Sequence, residues 1–261
     1  MSMFFYSMAS GSSGNSYYIG NKQYGFLIDA GISAKTICRH LKSVSLDVTQ
    51  VRALFITHIH KDHTQSMSVF SNRWQIPVYS TRKVHNLIDA AKYIHRKISP
   101  INRRYLEHEE RMSLGDFHIT SFFVPHDAGD NSGFIIEYQG IKLVFATDVG
   151  HPTELLMQAI QDCDYLVLES NHDEVMLRDG SYPEELKQRV ASDIGHLSNR
   201  VAAETVARNS SSRLKKVFLC HLSHENNTPE LAVQTMSQAL QGKIPVVALQ
   251  RDVPELFELS L

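Results

Sequence analysis

Three histidines and one aspartate are crowded into six positions directly after an apolar run. The run is residues 51–57, and the polar residues are His58, His60, Asp62 and His63. Imidazole nitrogens and carboxylate oxygens are common ligands of zinc and other divalent metals. His58 and His60 are two residues apart, so in an extended segment both side chains point the same way. The pattern predicts a metal site; the alternative is a histidine-rich exposed turn.

Further apolar runs also end at residues that can bind a metal or transfer a proton. Those residues are His126, Asp148, Glu169 and His221. In α/β architectures, functional side chains collect where strands end and loops begin. One histidine at a strand end is usually structural. Several such ends together with the histidine-rich loop indicate one shared site.

Seven residues are candidate metal ligands, which is more than one tetrahedral zinc can use. They are His58, His60 and His126 for one cation, Asp62, His63 and His221 for a second, and Asp148 as the bridge between the two. Two cations would lower the pKa of water held between them and so provide a nucleophile at neutral pH. Histidine and aspartate ligands accommodate zinc, manganese or iron, so the sequence leaves the metal open.

Composition is ordinary for a soluble globular protein of 261 residues, with 43% hydrophobic and 21% charged residues. The net charge of −2 excludes a global basic field, so nucleic-acid binding would need a local patch. The three cysteines are irregularly spaced, which fits a reducing cytoplasm. The start of the chain lacks the pattern of a signal peptide, and we expect a cytoplasmic protein with no membrane span.

One segment, residues 82–104, concentrates positive charge. It holds Arg82, Lys83, Lys92, Arg96, Lys97, Arg103 and Arg104 against a single acid, Asp89. Thr81 is positioned to cap a helix that starts this segment. The cations are either a solvated surface or a patch that contacts phosphates.

Alternating strand and helix patterns account for the chain without a linker, and we expect a single domain over residues 1–261. Expected strands are 3–8, 16–29 with a turn, 51–57, 76–79, 119–124, 134–138, 142–146, 165–168, 216–220 and 244–249. Expected helices are 33–44, 64–70, 153–161, 183–192 and 198–208, with others after Thr81 and Thr228. Between Asp148 and His196 we expect two helices and a strand, too short a stretch for an inserted domain.

The residues in these segments resemble the metallo-β-lactamase-fold hydrolases, and more narrowly their WalJ/YycJ branch. The matching segments are 10–16, 29–33, 57–63, 169–173, 195–199 and 221–227. The resemblance implies a four-layer αββα sandwich of α/β (α+β) class. One departure is Ser66, where many relatives carry glycine three residues after the last histidine of the loop.

The resemblance also implies a two-metal phosphodiesterase, specifically a 5′→3′ DNA exonuclease in repair. Its catalytic residues would be Asp62, Asp148, Glu169 and His196. Glu169 and His196 resemble the glutamate–histidine pair of tRNA 3′-processing relatives. A carboxylate keeps an adjacent imidazole charged near neutrality, so His196 could protonate the leaving oxygen. The alternative for His196 is a structural role like that of an N-cap, before a helix at Ser198.

Six residues are candidates for substrate binding: Ser12, Ser13, Asn15, His172, His224 and Asn226. The first three lie in a glycine-rich loop that could line a cleft or simply be flexible. His172 and His224 could instead orient metal ligands.

Two other functions stay open: hydrolysis of a small ester, lactone, thioester or β-lactam, and a non-catalytic partner in envelope signalling. The glutamate–histidine pair and the basic segment favour a phosphate substrate. The sequence leaves open DNA against RNA, the polarity of digestion and the oligomeric state.

Overall fold

Two β-sheets of seven strands each form the centre of the structure, a computed structural model that describes residues 2–261. The strands are β1 (Met3–Ala9), β2 (Ser16–Gly20), β3 (Gly25–Ile28), β4 (Val51–Phe55), β5 (Val78–Ser80), β6 (Arg103–Tyr105), β7 (Arg111–Leu114), β8 (Phe117–Phe123), β9 (Ser132–Tyr138), β10 (Ile141–Ala146), β11 (Tyr165–Glu169), β12 (Lys216–Cys220), β13 (Val246–Ala248) and β14 (Glu255–Leu259). The helices are α1 (Ala34–Ser43), α2 (Lys61–Thr64), α3 (Met67–Trp74), α4 (Arg82–Ala90), α5 (Glu154–Gln161), α6 (Glu174–Asp179), α7 (Glu184–Val190), α8 (Asn199–Asn209) and α9 (Pro229–Ala239).

The two sheets repeat one layout. Their strand orders are β14-β1-β2-β3-β4-β5-β6 and β7-β8-β9-β10-β11-β12-β13. In each, the first three neighbouring pairs are antiparallel and the last three are parallel. Parallel neighbours end at the same edge of a sheet, so the residues that follow β10, β11 and β12 are brought together.

A core rich in aromatic residues joins the sheets face to face. The Phe55 ring of β4 lies 5.1 Å from Phe26 in its own sheet and 5.5 Å from Phe134 in the other. Two further apolar clusters lie outside the sheets. One packs α1, α3 and α4 on the first sheet, and the other packs α5, α8 and α9 on the second. The expected αββα sandwich is confirmed.

The expected strands and most expected helices are present, with shifted ends. β6, β7 and β14 were missed because they are short and carry exposed charged or polar residues, which do not alternate cleanly with apolar ones. α6 was also missed, so three helices lie between Asp148 and His196, and the expectation of two was wrong. No helix within residues 2–261 is long and apolar enough to cross a membrane.

The basic segment is α-helical only in its first part, with a short 3-10 turn at Pro100–Asn102. Thr81 caps α4 as expected, accepting a hydrogen bond from the Val84 amide at 3.1 Å. The helix ends at Ala90, where Lys97 Nζ donates to the Ile88 and Ala91 carbonyl oxygens at 2.7 Å each. Arg103 and Arg104 lie in β6.

Candidate metal centre

The loop after β4 delivers three histidines to the edge of the first sheet. β4 is held between two parallel neighbours, β3 and β5. The chain then runs through Thr57 and His58 and turns into α2, which starts at Lys61. His58 and His63 are fully buried, whereas the His60 side chain is 32% exposed.

A carboxylate from the neighbouring strand orients two of these imidazoles. Asp29, directly after β3, accepts hydrogen bonds from His63 Nδ1 at 2.7 Å and from Thr57 Oγ1 at 2.8 Å. Because the Thr57 hydroxyl donates to Asp29, it must accept from His58 Nδ1, which lies 3.0 Å away. Both imidazoles are thereby left with Nε2 as the nitrogen that can bind a metal.

His58, His60 and His126 form the first group. Their ligand nitrogens lie within 4.8 Å of one another, and His126 Nε2 is 3.2 Å from His60 Nδ1. His126 Nδ1 donates to the Gly195 carbonyl at 3.0 Å, which leaves Nε2 with its lone pair. Burial lowers the pKa of all three imidazoles, so they are neutral and able to bind a cation.

Asp62, His63 and His221 form the second group, again within 4.8 Å of one another. Asp62 Oδ2 lies 3.3 Å from His63 Nε2 and 3.5 Å from His221 Nε2. Asn15 fixes this carboxylate by donating its side-chain N–H to Asp62 Oδ2 at 3.2 Å.

Asp148 lies between the two groups. Its Oδ2 is 3.2 Å from His63 Nε2, and its Oδ1 is 3.7 Å from His126 Nε2. The same Oδ1 is 3.2 Å from His221 Nδ1 of the second group, so the carboxylate contacts both groups. The residue is buried and holds a left-handed backbone conformation, with φ of 56°. Aspartate adopts this conformation more readily than most residues, and the conformation turns the side chain into the site.

The site attracts positive charge. Burial would lower the pKa of His221, but the carboxylates of Asp148, Asp62 and Glu169 outweigh it and raise the pKa to about 10. Burial likewise opposes charge on His63, and its neighbouring aspartates raise its pKa well above the usual value. The carboxylates that draw protons to these rings would attract divalent cations in the same way.

The donor set fits divalent metals. The Nε2 atoms of His58 and His221 are buried and have no hydrogen-bond partner in the part of the chain that the structure describes. A buried polar atom without a partner is costly, and a metal ion would satisfy both nitrogens.

Glu169 and His196 lie directly beside the second group. Glu169 Oε1 is 2.8 Å from both His196 Nδ1 and His221 Nδ1. Its Oε2 accepts hydrogen bonds from the Val149 and Leu197 amides, so the carboxylate is held from both sides. Burial would lower the pKa of His196, but Glu169 outweighs it and the pKa is raised. Ser198, not His196, caps α8.

Other residues of the site were not assigned from sequence. Asp29 and Thr57 orient ligands, and Ser10 Oγ accepts a hydrogen bond from the His221 amide at 3.0 Å. Asp127 Oδ1 lies 3.6 Å from His60 Nε2, while its Oδ2 pairs with Arg189. Asp29 follows a strand directly, as the predicted ligands do, and this position in the sequence could have identified it as a residue of the site.

The predicted substrate-binding residues fall into two sets, and their role stays a prediction. Ser12, Ser13 and His224 are exposed. Asn15, His172 and Asn226 are buried, with at most 2% of each residue accessible. The side-chain amide of Asn15 forms hydrogen bonds with Asp62 and His63. His172 Nδ1 has no hydrogen-bond partner among residues 2–261.

Ser66 replaces the expected glycine without strain. Its φ of −114° is open to any residue, and its hydroxyl donates to the Ile32 carbonyl at 2.6 Å. The end of the loop that carries the predicted ligands (residues 57–63, called the metal loop below) is therefore fixed by hydrogen bonds to residues 30–32.

Known proteins are similar to this chain in sequence or in fold. A family model described as a beta-lactamase superfamily domain matches residues 24–221. Exodeoxyribonuclease WalJ of Streptococcus pneumoniae is 37% identical over 233 residues, covering 89% of this chain and 86% of the relative. Exodeoxyribonuclease YycJ of Bacillus anthracis is 34% identical over 243 residues, covering 93% and 91%. The crystal structure of the metallo-β-lactamase fold protein YhfI from Bacillus subtilis matches with a TM-score of 0.75 at 14% identity, covering 99% of this chain and all of that one.

Proposed function

Because the chain belongs to the beta-lactamase superfamily and is related to the WalJ and YycJ proteins over most of its length, we propose that it is a metal-dependent exonuclease that acts on DNA. The relatives bear the name exodeoxyribonuclease, which supports DNA as the substrate. Digestion in the 5′→3′ direction, a role in DNA repair and a cytoplasmic location are part of the same proposal.

The observation that carries the proposal is the position of Asp148 between two groups of ligands. His58, His60 and His126 would hold one cation, and Asp62, His63 and His221 the other, with Asp148 shared. When bound, two divalent cations lower the pKa of water and offset the negative charge of a phosphate. Zinc and manganese both suit these ligands, and iron is a third candidate.

The glutamate–histidine pair supplies a proton. Glu169 holds the His196 ring through Nδ1 and keeps it charged, so that Nε2–H is the donor available to a leaving oxygen. This group suits phosphodiester cleavage, where the leaving alkoxide must be protonated or stabilised. The same oxygen of Glu169 also fixes the His221 ring, which couples the proton donor to the second ligand group.

A substrate panel with the purified protein tests this function. We expect release of nucleotides from single- or double-stranded DNA labelled at the 5′ or 3′ end, with zinc or manganese added separately. RNA of the same sequence and a chromogenic β-lactam complete the panel. Asp148→Asn, prepared identically, shows whether the activity belongs to this protein. Hydrolysis of the β-lactam without cleavage of either nucleic acid would contradict the proposal and support a small-molecule hydrolase.

A further inference from the structure

A partly exposed tyrosine forms a hydrogen bond with the backbone of the metal loop. Tyr93 follows α4, its side chain is about half exposed, and its hydroxyl donates to the carbonyl oxygen of Ile59, between His58 and His60. Partial burial raises the pKa of this hydroxyl, and the Asp62 carboxylate adds to the shift. Tyr93 therefore lies against the backbone of the loop that carries the predicted ligands, while about half of the residue stays exposed.

The segment that carries Tyr93 is held firmly. Ile94 and Ile98 are buried in the core beneath it. Asn72 binds the segment from α3, donating to the Lys97 carbonyl at 2.9 Å and accepting from the Ser99 amide at 2.8 Å. The ring is therefore presented in a fixed position, so little conformational entropy would be lost when a flat ligand stacks on it.

Two positively charged side chains near Tyr93 in the sequence have no ion-pair partner among residues 2–261. Elsewhere in the basic segment, Arg103 pairs with Asp89, Lys97 binds backbone carbonyls, and Arg82 covers the Tyr105 ring at 4.1 Å. Lys92 and Arg96, on either side of Tyr93 in the chain, are exposed and form no ion pair or hydrogen bond within the described range. An accessible aromatic ring flanked by free cations is typical of single-stranded nucleic-acid binding.

We propose that Tyr93 is a stacking platform for a base of single-stranded DNA beside the metal centre, and that Lys92 and Arg96 contact the adjacent phosphates. The inference rests on the proposed function and names how that site engages its substrate. Stacking accepts every base, since each has a flat aromatic face, so the platform would add affinity without sequence preference.

Binding to two oligonucleotides of equal length separates stacking from charge. One is a fluorescein-labelled thymidine oligomer, and the other is the same backbone with abasic sites. Both oligomers carry phosphorothioate linkages that resist cleavage, and anisotropy with the metal-loaded protein at several salt concentrations gives the Kd for each. Circular dichroism and metal content of each variant confirm that it folds and keeps its centre.

We expect the wild-type protein to bind the thymidine oligomer about 10-fold more tightly than the abasic one, and Tyr93→Ala to lose that preference. Tyr93→Phe should retain it, because the ring remains. Tyr105→Ala is the matched control: the residue is 45% exposed, but Arg82 covers one face of its ring. The double variant Lys92→Ala and Arg96→Ala should weaken both complexes and reduce the salt slope by about 1.4.

Retention of the base preference by Tyr93→Ala would overturn the inference while leaving the proposed function intact. Failure of the wild-type protein to bind either oligomer, or to cleave DNA when loaded with metal, would contradict the proposed function and the inference together.

Discussion

Asp29 and Asp148 occupy equivalent positions in the two sheets and contact opposite sides of His63. Each comes just after the fourth strand from the antiparallel edge of its sheet, in a left-handed conformation, with φ of 60° and 56°. Asp29 Oδ2 is 2.7 Å from His63 Nδ1, and Asp148 Oδ2 is 3.2 Å from His63 Nε2. The repeated layout thus supplies one carboxylate that orients His63 and one that would share its cation.

Asp29→Asn should weaken metal binding about 10- to 100-fold. An amide N–H facing His63 Nδ1 would move the ring proton to Nε2, the nitrogen needed for a metal. Asparagine tolerates positive φ, so the backbone need not change. Competition with a chelator measures the affinity. Asp47→Asn, which alters an exposed capping carboxylate, is the control, and equal affinity in both variants would refute this role for Asp29.

His196→Ala should keep its metals but lower turnover roughly 10²–10⁴-fold, as expected for loss of a general acid. The readouts are metal content by mass spectrometry and the rate of DNA cleavage. His118→Ala is the control, since that imidazole forms a hydrogen bond with Ser113, a residue outside both ligand groups. A full cleavage rate in His196→Ala would remove this residue from the reaction.

Gly31→Ala should destabilise the protein by ~1–3 kcal/mol and release metal, because the added carbon would lie 1.6 Å from the Asp62 carbonyl oxygen. Thermal unfolding and metal content are the measurements. Gly242→Ala is the control: its φ of 66° is strained for alanine, but the new carbon meets no atom within 4 Å. That variant should keep its metals. Full metal occupancy in Gly31→Ala would contradict the close packing of this turn on the loop.

Much of the candidate site was predictable because most of its residues lie directly after the ends of strands. His58, His126, Asp148 and His221 each follow an apolar run, and the sheet layout brings them together. The role of Asn15 was not predictable, because its position in a glycine-rich loop suggests an exposed residue. It is buried by the return of the chain at Asp62, whose carbonyl accepts the Asn15 amide at 2.7 Å.

Contacts between segments far apart in sequence account for the rest. Tyr93 lies 34 residues from Ile59, and no local pattern marks it as part of the metal loop. The basic segment looked like one charged surface, but Arg103 pairs with Asp89, and Lys97 and Arg104 donate to backbone carbonyl oxygens. β14 pairs with β1 at the opposite end of the chain, and its exposed charged residues gave little strand signal.

We propose that two cations share Asp148 and that DNA cleavage depends on them. The most direct test is to measure metal per chain and DNA cleavage together in the wild-type protein and in Asp148→Asn. Asparagine preserves size and tolerates the left-handed backbone, so the change removes charge with little strain. We predict two metals and cleavage in the wild type, and at most one metal and no measurable cleavage in the variant. A variant that keeps two metals and its cleavage rate, or that cleaves DNA after chelation, would contradict the account.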